Sequence, residues 1–228
     1  MQSPKPQPVD SAEDRELVRL AKDGGLTAFE ALVSRHERRI YGLTRRVTGS
    51  EEDAQDVTQQ TFLSAMRRLG GFREEASFST WLATIAVNAS LKVVRKRRGL
   101  PSTSLEAAVD PGADGRIPHP EYIADWRETP DRLAQHAETR RLLDDAIALL
   151  DPGHRAVFLL RDVESLSIKE TAKALRISEA NVKVRLLRAR MQLRERLTRD
   201  FGDAASRYEP VEHPPGMSGH ARKEAIHA

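Results

Sequence analysis

The chain has 228 residues, of which 31% are charged, 39% hydrophobic and 5% aromatic. That length suits one to two domains, and the lean apolar share fits small helical units better than one large core or an aromatic-rich sandwich. Its 37 basic and 34 acidic residues leave a formal charge of only +3, and with no cysteine it can form no disulfide, thiolate metal site or cysteine nucleophile.

Residues 1–11 carry three prolines and are read as disordered. Helical periodicity begins near Ser11. A second helix is predicted from Thr27, whose spacing to Glu30 is that of a capping box. Its apolar stripe runs Phe29, Leu32, Val33, Ile40, Leu43, Val47, and Gly49 ends it. Ser50 caps a third helix that buries Val57, Phe62, Met66 and Leu69 and stops at Gly70-Gly71. A short loop, Phe72 to Ser77, leads to a long helix from about Phe78 to Arg98. Its expected apolar face is Phe78, Trp81, Leu82, Ile85, Ala89 and Val93.

Residues 100–132 hold repeated prolines and glycines that leave no room for a regular element. They read as an acidic linker in which Tyr122, Ile123 and Trp126 are the candidates for local docking. Helical pattern resumes at about Leu133 and runs to Leu150. Asp151-Pro152 restarts it, with Asp151 as N-cap and Pro152 at the first helical position. Ser167 and Glu170 form a second capping box, opening a short helix to Leu175. The turn Arg176-Ile177-Ser178 follows, then a helix from Glu179 to about Arg199. Residues 200–228 read as a loose tail. Its His213, His220 and His227 are spaced by seven, yet intervening prolines and glycines prevent a continuous helical face. No strand-like alternation appears, so the expected class is all-α, two small helical domains joined by the linker.

The small net charge hides segregation. Between Lys92 and Arg98, five of seven residues are basic. From Lys183 to Arg199 seven basic residues stand against Glu195 alone, while Ser104–Glu138 carries eight acidic and three basic residues. Two basic blocks around an acidic spacer suggest two contacts to a polyanion; the plainer alternative is solvated helix faces.

The C-terminal pair of helices has helix-turn-helix spacing. Val182, Leu186, Leu193 and Leu197 repeat at helical spacing and are expected inside. Lys183, Val184, Leu187 and Arg188 then face outward, where base edges would be reached, with Asn181, Arg185 and Arg190 flanking for phosphates and Ser178 capping. In the N-terminal half, Thr80, Thr84, Asn88, Lys92 and Arg95 share one arc of their helix. Hydroxyls and an amide there suit base edges, and the cations suit backbone. The preceding loop, with exposed Phe72, Phe78, Ser77 and Ser79, suits an unstacked base, although core packing is the better reading of Phe78 and Trp81 taken alone. The helix before it lines up Glu52, Asp56 and Gln59 at i, i+4 and i+7, with Asp53 and Gln60 beside them. That acidic, amide-rich face is wrong for DNA and right for a polar or basic protein partner.

Asp53-Ala54-Gln55-Asp56-Val57-Thr58-Gln59-Gln60-Thr61-Phe62-Leu63 and Phe78-Ser79-Thr80-Trp81-Leu82-Ala83-Thr84-Ile85-Ala86-Val87-Asn88 closely resemble region 2 of the extracytoplasmic-function (ECF) sigma factors of the sigma-70 family. Leu149-Leu150-Asp151-Pro152, with Val182-Lys183-Val184-Arg185-Leu186-Leu187-Arg188-Ala189-Arg190, resembles their region 4. The resemblance covers about 12–99 and 133–198, in family order and spacing. It implies a subunit of RNA polymerase without catalysis of its own. Asp53, Asp56, Gln59 and Gln60 would meet the clamp helices of the polymerase β′ subunit. Phe72, Ser77, Phe78, Ser79, Thr80, Trp81, Thr84 and Asn88 would open and read the −10 element, and Lys92, Arg95, Arg97 and Arg98 would hold its backbone. Ser178, Asn181, Lys183, Val184, Arg185, Leu187, Arg188 and Arg190 would meet the −35 duplex. The linker would thread the polymerase interior, with the β subunit among the partners, and an anti-sigma factor is the implied regulator. No cofactor, metal or membrane contact is expected, and the location implied is cytoplasmic. At the turn, Arg176 stands where the family often has glycine, and Ala180-Asn181 stands in place of its common Gly-Thr. Two other classes stay open on the residues alone. A standalone helix-turn-helix regulator would bind duplex tightly by itself, and a nucleic-acid enzyme would need a metal or phosphate site for which no motif appears.

Overall fold

A computed structural model of the protein describes residues 12–99 and 137–201. All regular structure among them is helical. The N-terminal half contains α1 (Ala12–Lys22), α2 (Leu26–Thr48), α3 (Glu51–Arg68) and α4 (Phe78–Arg97), with a single 3-10 turn at Leu69–Gly71. The C-terminal half contains α5 (Ala137–Ala148), α6 (Pro152–Phe158), which runs on into a π turn at Leu159–Val163, then α7 (Ile168–Leu175) and α8 (Glu179–Phe201). The expected linker at 100–132, its Tyr122, Ile123 and Trp126, the start of the helix expected at Leu133 and the tail histidines lie outside the described residues.

α2 is the axis of the first half: α1, α3 and α4 all pack on it. Its Leu32, Ile40 and Val47 are fully buried and meet Leu82, Ala83, Ala86 and Val87 of α4 in one core. The helix starts two residues earlier than the Thr27–Glu30 spacing suggests. Gly25 is its N-cap, with no side-chain cap bond, so that capping box is not used. Glycine is needed there because a Cβ would stand 2.8 Å from the Leu20 carbonyl oxygen. Gly49 closes α2 in the left-handed region, at φ 70°, donating its N–H to Arg45. Ser50 caps α3 at the expected position, accepting from Asp53 N, and Ser77 caps α4, accepting from Thr80 N, so that α4 starts at Phe78 as expected.

Two core expectations change. Met66 is 49% exposed rather than inside, and the deep side of α4 is Phe78, Leu82, Ala83, Ala86, Val87, Leu91 and Val94, one step round from the stripe expected. Trp81, Ile85, Ala89 and Val93 are only half-buried. The buried arc takes in the small side chains Ala83 and Ala86, both 0% exposed, which the apolar stripe of larger residues did not include.

In the second half α5, α6 and α7 pack on α8. Asp151 caps α6 by accepting from Gly153 N at 2.9 Å, with Pro152 at the first turn. The two halves also touch: α5 and α6 meet α2, and α6 and α7 meet α4.

Candidate nucleic-acid and polymerase interface

The outer face of α3 is set by its inner one. Thr58 and Thr61 turn their hydroxyls inward, donating to Ala54 O and Val57 O at 2.7 Å, and Thr44 of α2 shares a hydrogen bond with Thr58 at 2.9 Å. That fixes the rotation of the helix and leaves Gln55, Asp56, Gln59 and Gln60 exposed. Asp53 is half-buried and pairs with Arg97 of α4 at 3.1 Å. A residue expected to meet protein and one expected to hold DNA backbone are thus joined to each other. Beside this face a groove of about 400 Å³ runs between α2 and α3, lined among others by Val33, Tyr41, Gln59 and Phe62. Leu63 and Met66, 41% and 49% exposed, belong to its rim.

The loop before α4 differs from expectation. Phe72 and Phe78, expected at its surface, are 7% and 1% exposed. Phe72 stacks on Trp81 with centroids 4.8 Å apart and meets Phe78 edge-on at 6.1 Å. Lys22 lies over the Phe72 ring at 5.4 Å. Aromatic packing therefore holds the loop to the bundle from beneath. Ser79 and Thr80 are buried as well, because Ser77 Oγ bonds to both hydroxyls, at 3.0 and 2.8 Å, while capping the helix. Ser77 and Trp81 are half-buried. Thr84 is half-buried and donates to Thr80 O. Asn88, Lys92, Arg97 and Arg98 are exposed, and Arg95 is half-buried.

Beneath this loop lies a buried carboxylate–imidazole pair that the sequence reading missed. Asp14 and His36 are 0% and 5% exposed, joined Oδ2 to Nε2 at 2.9 Å. Arg35 donates to Asp14 at 2.7 Å and to Glu13 at 2.7 Å, which raises its pKa. The His36 ring meets Phe78 edge-on at 5.4 Å. His36 continues the stripe Phe29, Leu32, Ile40, and that register was the available signal.

The helix-turn-helix is built by caps. Glu170 N donates to Ser167 Oγ at 3.1 Å and Ser167 N to Glu170 Oε2 at 2.7 Å, completing the capping box of α7. Arg176 takes the left-handed conformation, φ 56° and ψ 48°, and Ser178 Oγ accepts from Asn181 N. On α8, Val182, Leu186, Ala189 and Leu193 are buried. Ser178, Lys183, Val184, Leu187 and Arg190 are exposed and Arg188 is half-buried. Asn181 and Arg185, expected to flank this patch at phosphates, are instead 8% and 3% exposed, and Arg185 Nε donates to Asn181 Oδ1 at 2.7 Å. The pair is i, i+4 on the helix's inner flank, where burial favours mutual bonding over solvent. Arg190 holds Asp162 of the π turn with two bonds of 2.8 and 2.7 Å, which raises its pKa. His154, on α6, is pushed below the usual histidine range by burial, with Arg185 and Arg188 adding to the effect and Asp151 opposing it.

The class these features define is a two-part helical protein with a partner-facing helix in one half and a capped helix-turn-helix in the other. Residues 32–99 match the family described as Sigma-70 region 2, and residues 140–193 match Sigma-70 region 4. The chain is 34% identical over 180 residues to the ECF RNA polymerase sigma factor SigM of Mycobacterium tuberculosis, covering 79% of this chain and 82% of that one. It is 31% identical to the RNA polymerase sigma-H factor of Pseudomonas aeruginosa, covering 78% and 90%. Among solved structures, CnrH in complex with the cytosolic domain of CnrY is 27% identical, with a TM-score of 0.55 and coverage of 82% of this chain and 99% of that one. The chain belongs to the ECF sigma factors of the sigma-70 family. No helix among the described residues is long and apolar enough to cross a membrane.

Proposed function

We propose that the chain binds core RNA polymerase through the exposed face of α3 and directs initiation from promoters with two elements. α4 reads a melted −10 strand, with Asn88 at base edges and Lys92 and Arg98 on the backbone. α8 reads a −35 duplex. The observation that carries this reading is the outward side of α8. Val184 and Leu187 are 41% and 42% exposed on an otherwise charged helix, flanked by Lys183 and Arg188. Apolar side chains left in water early in a recognition helix suit thymine methyl groups, and the neighbouring cations suit guanine edges and phosphates. Asp56, Gln59 and Gln60 supply the polar surface for the clamp helices of the β′ subunit. The packed aromatic cluster of Phe72, Phe78 and half-buried Trp81 supports the α4 loop from the bundle side. CnrH was solved with the cytosolic domain of CnrY, and by likeness this chain has a protein partner of its own, for which the family resemblance implies an anti-sigma factor. No step of bond chemistry is assigned to the chain.

The test is transcription by sigma-free core polymerase on a promoter-length DNA pool at fixed salt. Transcripts that start at specific sites sharing two spaced motifs are the expected result. Tight, sequence-specific duplex binding by the isolated chain without any initiation would instead make it a standalone regulator.

A further inference from the structure

The segment between the 3-10 turn and α4 runs from Phe72 to Ser77 and is tied at both ends. Phe72 N donates to Leu69 O at 3.0 Å, the Phe72 ring stacks on Trp81, and Ser77 caps α4. Between these anchors Arg73, Glu74 and Glu75 are exposed. Two of the three are acidic, and bare carboxylates repel a polyanion. Glu74 also has a φ of 58°, a conformation that residues with a Cβ disfavour and that persists only where the surroundings fix it.

One side chain counters both. Lys22, the last residue of α1, donates from Nζ to Glu74 Oε1 at 2.6 Å, across 52 residues of sequence. The same Nζ lies 5.4 Å from the centroid of the Phe72 ring. The Lys22 side chain is 24% exposed against 54% for Glu74, so the cation is the more sheltered partner. A lysine already packed on an aromatic face loses less freedom on pairing than one extended into water. α1 is itself pinned to α2, since Asp14 meets His36 at 2.9 Å and Arg35 at 2.7 Å, and it packs on the 3-10 turn. It therefore reaches both ends of the loop: Phe72 through Lys22, and Phe78 through Asp14 and the His36 ring. Glu75 is paired from the other half, by Lys173 at 3.1 Å, which leaves Lys22 as the tie from α1.

We propose that Lys22 is a positioning residue for −10 recognition: it fixes the Phe72–Ser77 loop through Glu74 and cancels that carboxylate's charge beside the strand, so that α1 shapes base selection without touching DNA. The role rests on the reading that α4 and its loop meet the −10 strand.

The test uses the full chain assembled with core RNA polymerase. The probe is a single-stranded oligonucleotide pool with a randomised centre, and bound strands are sequenced. Circular dichroism reports folding, and co-elution with core polymerase reports assembly. Lys22→Met keeps an unbranched side chain beside Phe72 and removes the charge. It is expected to assemble as the parent does, to bind the pool about two- to fivefold more weakly and to flatten base preference. Adding Glu74→Gln removes the freed carboxylate. Affinity is then expected to return to that of the parent while preference stays flat, because methionine and glutamine cannot remake the tie. Glu74→Gly with Lys22 kept is expected to flatten preference without loss of affinity. Unchanged affinity and preference in Lys22→Met would overturn the proposal. So would a loss that Glu74→Gln leaves in place, since Lys22 would then act on the strand directly. Parental preference in Glu74→Gly overturns the positioning role even where Lys22→Met fails to fold. Asn88→Ala with Lys92→Ala tests the underlying reading. No change in that folded, assembled variant means that the −10 reading fails, whereas weakened binding there with Lys22→Met unaffected sinks the positioning role alone.

Discussion

The turn of the helix-turn-helix carries a measurable strain. Arg176 sits at φ 56° and ψ 48°, ending α7 with its N–H directed to Ala172 O. For an L-residue with a Cβ this conformation costs about 1–2 kcal/mol, because Cβ crowds the following carbonyl. Glycine removes that cost but makes the unfolded chain more flexible, which takes back about 0.4–1 kcal/mol. Arg176→Gly is therefore expected to stabilise the protein by about 0.5–1 kcal/mol, a rise in Tm of about 1–4 °C. Arg176→Ala keeps the Cβ and gains nothing. Arg176→Asn falls between, since asparagine tolerates the left-handed region better than most residues. Arg176 is exposed, so none of the three removes core packing. Urea unfolding followed by circular dichroism at 222 nm, with all three variants and the parent at one pH, gives the order directly. Glycine no more stable than alanine would refute the reasoning, because the two differ at this site only in the Cβ and in chain entropy.

Ser167→Ala removes the hydroxyl that accepts from Glu170 N and is expected to cost about 1 kcal/mol, read as a lower urea midpoint. Phe78→Ala empties a site that is 1% exposed and touches His36, Phe72 and Trp81; a loss of about 3–5 kcal/mol is expected, followed by tryptophan fluorescence. Asp56→Ala is expected to weaken core polymerase binding in a pull-down titration while leaving duplex DNA binding unchanged, and loss of duplex binding would contradict the division of labour between α3 and α8. His154 has its pKa lowered by burial, so the unfolded chain takes up a proton that the folded chain resists. Stability is therefore expected to fall as pH drops through the ordinary histidine range, and His154→Gln to flatten that slope in melts at stepped pH.

Local chemistry was legible in the sequence and distant pairing was not. Ser50, Asp151 and Ser167 start their helices at the positions their identities indicate, because their cap bonds reach only two or three residues along the chain, whereas the Thr27 box gives way to Gly25, whose close approach to Leu20 O sets the start of α2. The outward set Lys183, Val184 and Leu187 also follows from period alone, since Val182, Leu186 and Leu193 define the buried side. Exposure of polar residues does not follow in this way. Asn181 and Arg185 are buried against each other, and Thr80 is drawn inward by Ser77. Each is a polar side chain that found a partner, and the apolar pattern is silent about partners.

The same limit explains why the charged residues inside the fold escaped notice. Arg155 is buried only because the end of α2, 108 residues earlier, offers it a carbonyl, and Asp14 only because His36 and Arg35 meet it from the next helix. A buried charge needs such partners to be tolerated at all. Its position in the sequence reads as surface until the partners are known. Asn88 is a further case. Its place on the polar arc of α4 follows from helix geometry, yet its amide donates to the Ala174 carbonyl in the other half. Residue type and period place a polar side chain on a face, while its partner is set by a segment distant in the chain.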